Sequence, residues 1–552
     1  MRASILFIHG ITVLVQAQPQ AQVTLEPEPP SCPDYSGYSS THHEPKSTGR
    51  YKLSYQRPHP SCRTFSLPEV EETIVSMKQI IKDPDLFRLF ENCFPNTLDT
   101  AITWKGLSWK NATSHLPVDI NNPEPGQHPP EAQAEELTFI TTGDIPAMWL
   151  RDSAHQLSSY ATLLKPSNSS SSLASLYRGL INLQARYILT APHCNAFLAP
   201  PESGIPPPPS SDDGTTDYVY PPLPSTPGSQ TKKAVHECKY ELDSLASFLS
   251  LSHTYLTSTS DLPFVSRPSS SFLPALRKLL SFTKDLQSGT YNRDGTPAFS
   301  AYQFQRFTTT STETLPNAGS GPPMKTGTGL VRSAFRPSDD ATTYQGFIPG
   351  NMMFASYLSK LSPLVSKLDK TTGQEMADLA AEIKKGIEDH GRTDHRLHGR
   401  IYAYEVDGYG SHNLMDDANI PSLLSAPLYG YLDRNGETYQ RTRRFVLGES
   451  NPYYMFGPVL NATGGPHIGP GMAWPMGLIV QALTSDDDDE IYSCIKQLLS
   501  STDGFGLMHE SVNTHSVSVW TRHWFSWANG LFGQLILDIN KRKSHLLAKS
   551  YQ

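Results

Sequence analysis

Thr142-Gly143-Asp144-Ile145-Pro146-Ala147-Met148-Trp149-Leu150-Arg151-Asp152-Ser153-Ala154-His155-Gln156 reads as the start of a helix. Asp144 offers a carboxylate to free backbone N–H groups, and Pro146 suits a first turn. Behind them Leu150, Ala154, Leu157, Ala161 and Leu164 recur at helical spacing, an apolar stripe that faces a core. The opposite side carries Met148, Trp149, Arg151, Asp152 and His155. Aromatic and apolar groups mixed with ionisable ones fit a helix packed on one side and lining a pocket on the other. An Arg–Asp pair near a helix start also serves as a plain structural ion pair, so composition alone leaves both uses open.

Around this stretch lie 552 residues, long enough for several average domains or one large catalytic fold. Hydrophobic residues make up 38% and aromatics 10%, enough for a substantial core. The net charge of −8 comes without a basic block, which argues against nucleic acid as the main partner. At the N-terminus, Arg2, the apolar run Ile5 to Val15 and the small-residue site near Ala17 read as an export signal over residues 1–17. No later segment approaches the roughly 18 apolar residues needed to span a bilayer, so the expected product is secreted, with no membrane partner. Six cysteines are too few for a disulfide scaffold, and none sits in a zinc-type CxxC. Cys32–Cys62 is a pairing that would staple the N-terminal arm. Asn111, Asn168 and Asn461 open glycosylation sequons.

Residues 18–66 are rich in Pro, Ser, Tyr and His without sustained periodicity, an irregular arm either laid over the surface or partly mobile. From residue 67 to about 545 apolar periodicity takes over. Val70, Ile74, Met77 and Ile80–Ile81 space as one helix, and Leu86 to Phe94 as a second. Thr138–Thr141 looks extended. Helical patterns follow over 173–189, 241–255, 272–286, 345–361, 374–388, 421–431, 474–483, 490–499 and 524–540. Strand-like runs are short and sparse, and alternating βα units are not evident, which counts against a TIM barrel or Rossmann fold. About a dozen helices in one region predict an all-α fold, helical hairpins closed into an (α/α)6 barrel with a loop-built pocket at one end. Two polar inserts interrupt the pattern. Pro200–Pro227, dominated by Pro, Ser and Asp, predicts weak or absent order, and Thr308–Pro323 is a shorter relative.

Three later stretches mix carboxylates with aromatic or imidazole groups. In Phe335-Arg336-Pro337-Ser338-Asp339-Asp340-Ala341 the adjacent acids fit a helix N-terminus, and a neighbouring carboxylate is one way for an acid to keep its proton. Met415-Asp416-Asp417-Ala418-Asn419-Ile420-Pro421 again sets paired acids before an apolar run, as caps or as grips on hydroxyls. Leu507-Met508-His509-Glu510-Ser511 is followed by Trp520 to Asn529, dense in aromatics. HExxH, EF-hand, Walker A and nucleophile-elbow motifs are missing, so no metal or other cofactor is expected. A mechanism built on carboxylates alone is the simplest, and glycosidic cleavage suits it.

The motifs TGDIPAMWLRDS (142–153), KYELDSL (239–245), FRPSDDA (335–341), YAYEVDG (402–408), MDDANIPSLLS (415–425), MHES (508–511) and TRHWFSWANGLF (521–532) resemble, in order, those of glycoside hydrolase family 125, the metal-independent exo-α-1,6-mannosidases. The resemblance implies an (α/α)6 barrel that hydrolyses terminal α-1,6-linked mannose with inversion. It places the general acid on Asp339, with a raised pKa, and the general base on Glu510. Inversion calls for roughly 6.5–9.5 Å between the two carboxyls, room for a water. It makes Trp149, Arg151, Asp152, Arg336, Asp340, Asp416 and Asp417 candidate sugar contacts, with His467, His509, Arg522 and Trp524. Trp527 either packs on the ring or walls the site. An α-mannoside glycan is the expected substrate and a monomer the expected state. A non-catalytic mannose-binding protein, or a helical-barrel α-mannosidase of other linkage preference, are the competing readings.

Overall fold

The computed structural model describes residues 31–111, 132–207, 217–223 and 234–552. Among them are twelve helices of nine residues or more, named here α1 (Pro68–Ile80), α2 (Pro84–Cys93), α3 (Leu150–Ser158), α4 (Leu173–Thr190), α5 (Leu242–Thr259), α6 (Phe272–Asp285), α7 (Ile348–Val365), α8 (Lys370–His390), α9 (Glu437–Val446), α10 (Pro475–Leu483), α11 (Asp488–Ser500) and α12 (Ser526–Arg542). They form an inner and an outer row. α3 packs on α5, α5 on α7, and α12 on both α3 and α10. Outside them α4 packs on α5 and α6, α8 on α7, α11 on α10, and α2 on α12.

Sequence pattern explains the rows. Every residue of α5 from Leu242 to Ser252, and of α7 from Ile348 to Ser356, is buried, as a helix enclosed on all sides requires. The outer α8 instead buries one side, with Met376, Leu379, Ala380, Ile383 and Ile387 as its apolar stripe, and leaves Glu382, Lys384 and Lys385 exposed. Strands among the described residues are short, and the longest pair, Ile102–Asn111 with Ala132–Ile140, is antiparallel. No described helix is long and apolar enough to cross a membrane.

Four expectations change. The opening motif does not start a helix at Asp144. Met148–Trp149 is a strand on Ala196–Phe197, the helix begins at Leu150, and Asp144 turns to Arg522 (2.6 Å) instead of capping. Leu150 N is taken by Asn195 O (3.0 Å), which fixes that start. The apolar stripe holds over Leu150, Ala154 and Leu157, which are buried, but the helix ends at Ser158; Ala161, in a separate 3-10 turn, is half-buried, and Leu164 is buried beyond it.

Residues 421–431 form turns, not a helix. The Asp416 carboxylate captures Leu423 N (2.9 Å) and Leu424 N (3.0 Å), donors that would otherwise begin a helical ladder, and a cis Ile420–Pro421 bond precedes them. These turns stand between α7 and α9: Ser356 donates to Tyr429 O (2.6 Å) and Tyr439 to Leu424 O (2.8 Å). Within the 200–227 insert, Tyr218–Tyr220 is an ordered strand on Gln303–Gln305; much of the rest of the insert lies outside the described residues, as does the segment 1–17.

The described part of the arm, residues 31–66, is pinned to the helices. Cys32–Cys62 is bonded as expected, Leu53 is fully buried, and Arg57 pairs with Asp99 (2.7 Å). A second bond, Cys194–Cys238, was not anticipated.

Candidate active site

The segments leading into the inner helices converge on one hollow enclosing about 420 Å³, open mouth included. Its wall includes Asp144, Trp149, Arg151 and Asp152 before and at the start of α3, Ser338 and Asp339 before α7, and Asn419 before the 421–431 turns. His467 and Trp474 reach it ahead of α10, Glu510, Arg522 and Phe525 ahead of α12. Asp339 and Glu510, far apart in sequence, thus face the same space.

Asp339 sits at the tip of a tight turn with φ +67°, closed by Asp339 N to Arg336 O (2.9 Å) and Arg336 N to Asp340 O (2.8 Å). Left-handed backbone is tolerated better by Asp than by most residues. Arg336 anchors the turn from below with a bidentate bond to buried Glu405 (2.6 and 3.1 Å), which also accepts from Thr343 N and Tyr344 N. Arg151 faces four carboxyls at once: Glu241 (2.6 Å), Asp152 (3.2 Å), Asp243 (3.3 Å) and Asp339 (3.7 Å).

One guanidinium does not satisfy four acids, so the proton affinities diverge. Burial pushes Asp152 and Asp243 up to about 6 against the pull of Arg151, and pushes Glu241 well above the carboxylate range. Burial also acts on Asp339, but Arg151 and Lys239, with Glu241 and His467, outweigh it and hold this carboxyl well below its ordinary range. The expected raised pKa at Asp339 is therefore corrected: its neighbours favour the ionised form of this side chain, while burial favours the protonated form of Glu241.

On the other side, Glu510 accepts from Arg522 Nε (3.0 Å) and Thr521 Oγ1 (2.9 Å), one bond per carboxylate oxygen, and Arg522 is braced by Asp144 (2.6 Å). His467 lies 3.5 Å from Asp340; burial disfavours its charge, but the Asp340 hydrogen bond and charge prevail and raise it to about 9. Trp149 Nε1, Trp474 Nε1 and Thr142 Oγ1 are buried in this wall without protein partners. Orphaned donors and acceptors of this kind suit a ligand rich in hydroxyls.

Of the residues proposed from sequence, Asp339, Glu510, Trp149, Arg151, Asp152, His467 and Arg522 line the hollow. Arg336, Asp340, Asp416, Asp417, His509 and Trp524 do not. Arg336 and Asp416 are committed to the turns already described. Asp340 braces Ser338 (3.1 Å) and His467, Asp417 accepts from Asn419 (3.0 Å), and His509 stacks on Trp520 with Nδ1 at Arg522 O (3.0 Å). Trp524 is a core ring, and Trp527 sits behind the site under Arg151. Sequence reading missed Asn419, Trp474 and Phe525 in the wall, and Asn195, Lys239 and Glu241 beneath Asp339. Only the KYELDSL motif carried a signal for the last two. Among the described residues the one grouping with metal-ligand spacing is His193, Cys194 and Cys238, outside the hollow's wall and with both cysteines in a disulfide.

Residues 83–537 match the family model described as metal-independent alpha-mannosidase (GH125). The meiotically up-regulated gene 157 protein of Schizosaccharomyces pombe is 46% identical over 523 residues, 94% of this chain and 95% of that one. A solved metal-independent alpha mannosidase of Streptococcus pneumoniae, in a non-productive substrate complex with α-1,6-mannobiose, superposes with a TM-score of 0.69 at 31% identity, over 86% of this chain and 99% of that one. Scaffold and site are those of a helical glycoside hydrolase. The chain belongs to the GH125 family of metal-independent alpha-mannosidases.

Proposed function

We propose that the chain removes terminal α-1,6-linked mannose from mannans or N-glycans by single-displacement inversion. Asp339 protonates the leaving oxygen, and Glu510 takes a proton from the attacking water. The observation that carries this reading is that the two carboxyls expected from the family motifs, Asp339 and Glu510, are presented into one hollow with aromatic walls. The linkage is supported by the α-1,6-mannobiose bound to the Streptococcus pneumoniae relative. Arg151 and Asp152 on one side and His467 on another are placed to grip mannose hydroxyls, while Arg522 orients the base. The helix rows support an (α/α)6 barrel, with the 421–431 turns standing in for one inner helix. Two disulfides support an oxidising, extracellular location, and a glycan is the only partner the reading needs.

The test is hydrolysis of α-1,6-mannobiose in the presence of a chelator, followed by NMR of the first-formed anomer, alongside α-1,2 and α-1,3 isomers. The expected product is β-mannose, from the α-1,6 isomer. Glu510→Gln and Asp339→Asn should each lower kcat by about 100- to 10,000-fold. Release of α-mannose, a metal requirement, or full turnover by Glu510→Gln overturns the assignment.

A further inference from the structure

Asp339 poses a chemical difficulty. A general acid must carry a proton when the glycosidic oxygen arrives, yet Arg151 at 3.7 Å and Lys239 favour the ionised form of this side chain. The surrounding groups show where the proton can wait. Glu241, at the entry of α5, is fully buried. Its Oε2 accepts from Arg151 (2.6 Å) and Ser244 (2.9 Å), and its Oε1 from Asn195 Nδ2 (3.2 Å). That same amide reaches Asp339 Oδ1 at 3.5 Å, so Asn195 spans both carboxyls, which lie within hydrogen-bonding reach of each other.

Charge counting points the same way. Arg151 meets Asp152, Glu241, Asp243 and Asp339, while Lys239 shares Glu313 (3.2 Å) and Glu237 (3.4 Å) with Arg306 (2.5 and 2.9 Å). His467 faces Asp339 from the far side but is bonded to Asp340. Acids outnumber cations in this cluster, so it retains a proton. Asp152 and Asp243 touch Arg151, but neither makes a hydrogen bond to Asp339.

We propose that Glu241 is the proton store of the reaction, holding beside Asp339 the proton that Asp339 delivers to the departing oxygen. As the C1–O bond breaks, its electron pair goes to the leaving oxygen, which takes a proton from Asp339. The Glu241 proton moves onto Asp339, and water attacks C1 while losing a proton to Glu510. Glu510 then releases that proton to solvent and Glu241 regains one, so each turnover consumes one water and leaves the enzyme unchanged. Arg151, already hydrogen-bonded to Glu241 Oε2 (2.6 Å), stabilises the resulting carboxylate. The inference rests on Asp339 being the general acid, and it makes Glu241 a positioning residue acting through Asp339.

The experiment compares wild type, Glu241→Gln, Glu241→Asp and Asp339→Asn on α-1,6-mannobiose, whose leaving group needs protonation, and on α-mannosyl fluoride, whose leaving group does not. Glu241→Gln should lower kcat on mannobiose by about 100-fold while leaving fluoride turnover within roughly threefold, the range a general-acid contribution predicts. The alkaline limb of kcat on mannobiose should move to lower pH in Glu241→Gln. Glu241→Asp, which still titrates, should keep that limb and recover part of the rate. Equal losses on both substrates would show that Glu241 only holds Arg151 in place, and an unmoved alkaline limb in Glu241→Gln would equally overturn the relay. Should the Gln variant not fold, loss of the wild-type limb in Glu241→Asp overturns the relay by itself. Asp339→Asn separates the two readings: mannobiose turnover at wild-type rate there sinks the acid assignment, whereas failure of the Glu241 outcomes alone sinks only the store.

Discussion

His467 shows how a single residue in this site is governed by what it faces. Its ring lines the hollow, and its pairing with Asp340 raises it from the ordinary 6.5 to about 9. Because the folded value lies above the unfolded one, the stabilisation is fully present below about pH 6.5 and is lost as pH climbs through 9. At about 1.4 kcal/mol per unit the contribution is on the order of 3 kcal/mol. Denaturant unfolding of wild type and His467→Gln should therefore differ by up to that amount at pH 6 and converge near pH 9.5. A difference constant across that window would refute the pairing. At this scale the sequence was partly legible. Asp339, Glu510 and Arg151 stand in motifs whose family roles are recognisable, whereas Asn195 stands in none and Glu241 acts through contacts that linear spacing does not encode. Conversely, Arg336 and Asp416 look like sugar ligands in sequence because charged residues in motifs suggest function. Their hydrogen bonds go to Glu405 and to a turn, and they serve the site by holding its loops.

Elements were most legible where burial is one-sided. α8 and the pair α1–α2 follow from their stripes, as does α6, because each meets water on the other face. α9 escaped notice since its buried set is only Tyr439, Thr442, Phe445 and Val446 amid arginines, and 421–431 misled because Leu423, Leu424, Ala426 and Tyr429 are buried by turns as effectively as by a helix. Packing between elements also limits what propensity improves. Gly179 lies inside α4, where Gly→Ala gains about 1 kcal/mol of helix propensity. A Cβ there would stand 2.2 Å from Thr138 Oγ1 and 2.9 Å from the Leu137 carbonyl carbon, on the strand Ala132–Ile140. Backbone does not yield as a flexible side chain does, and overpacking costs about 1–3 kcal/mol. Gly179→Ala should thus lower Tm despite its better propensity; an unchanged or higher Tm in a thermal melt would show that α4 can slide off the strand.

The whole molecule extends beyond the part that carries the family's signature. The family model begins at residue 83, yet the arm before it supplies Leu53 to the core, hydrogen-bonds Ser54 N to Gly504 O (3.0 Å) and sends Arg57 between Asp99 (2.7 Å) and Glu71 (2.6 Å). Arg57 and Asp99 are each only 4% exposed at the side chain, whereas Glu71 is 41% exposed and contributes little. Removing one member of a buried pair strands the other: Asp99 would keep only Arg63 at 3.6 Å, with burial already opposing its charge. Arg57→Ala should therefore cost about 3–5 kcal/mol in urea unfolding, read as a lower midpoint of a single transition. Arg57→Ala combined with Asp99→Ala should recover part of that loss, since no stranded carboxylate remains. A loss below about 0.5 kcal/mol, the scale of a surface substitution, would mean that the arm merely rests on the helices. A separate early transition for residues 31–66 would mean the same. The single cooperative transition is expected because the contacts of the arm run to both ends of the chain, through Asn92 of α2 to Ser54 O and to Gly506 O before α12.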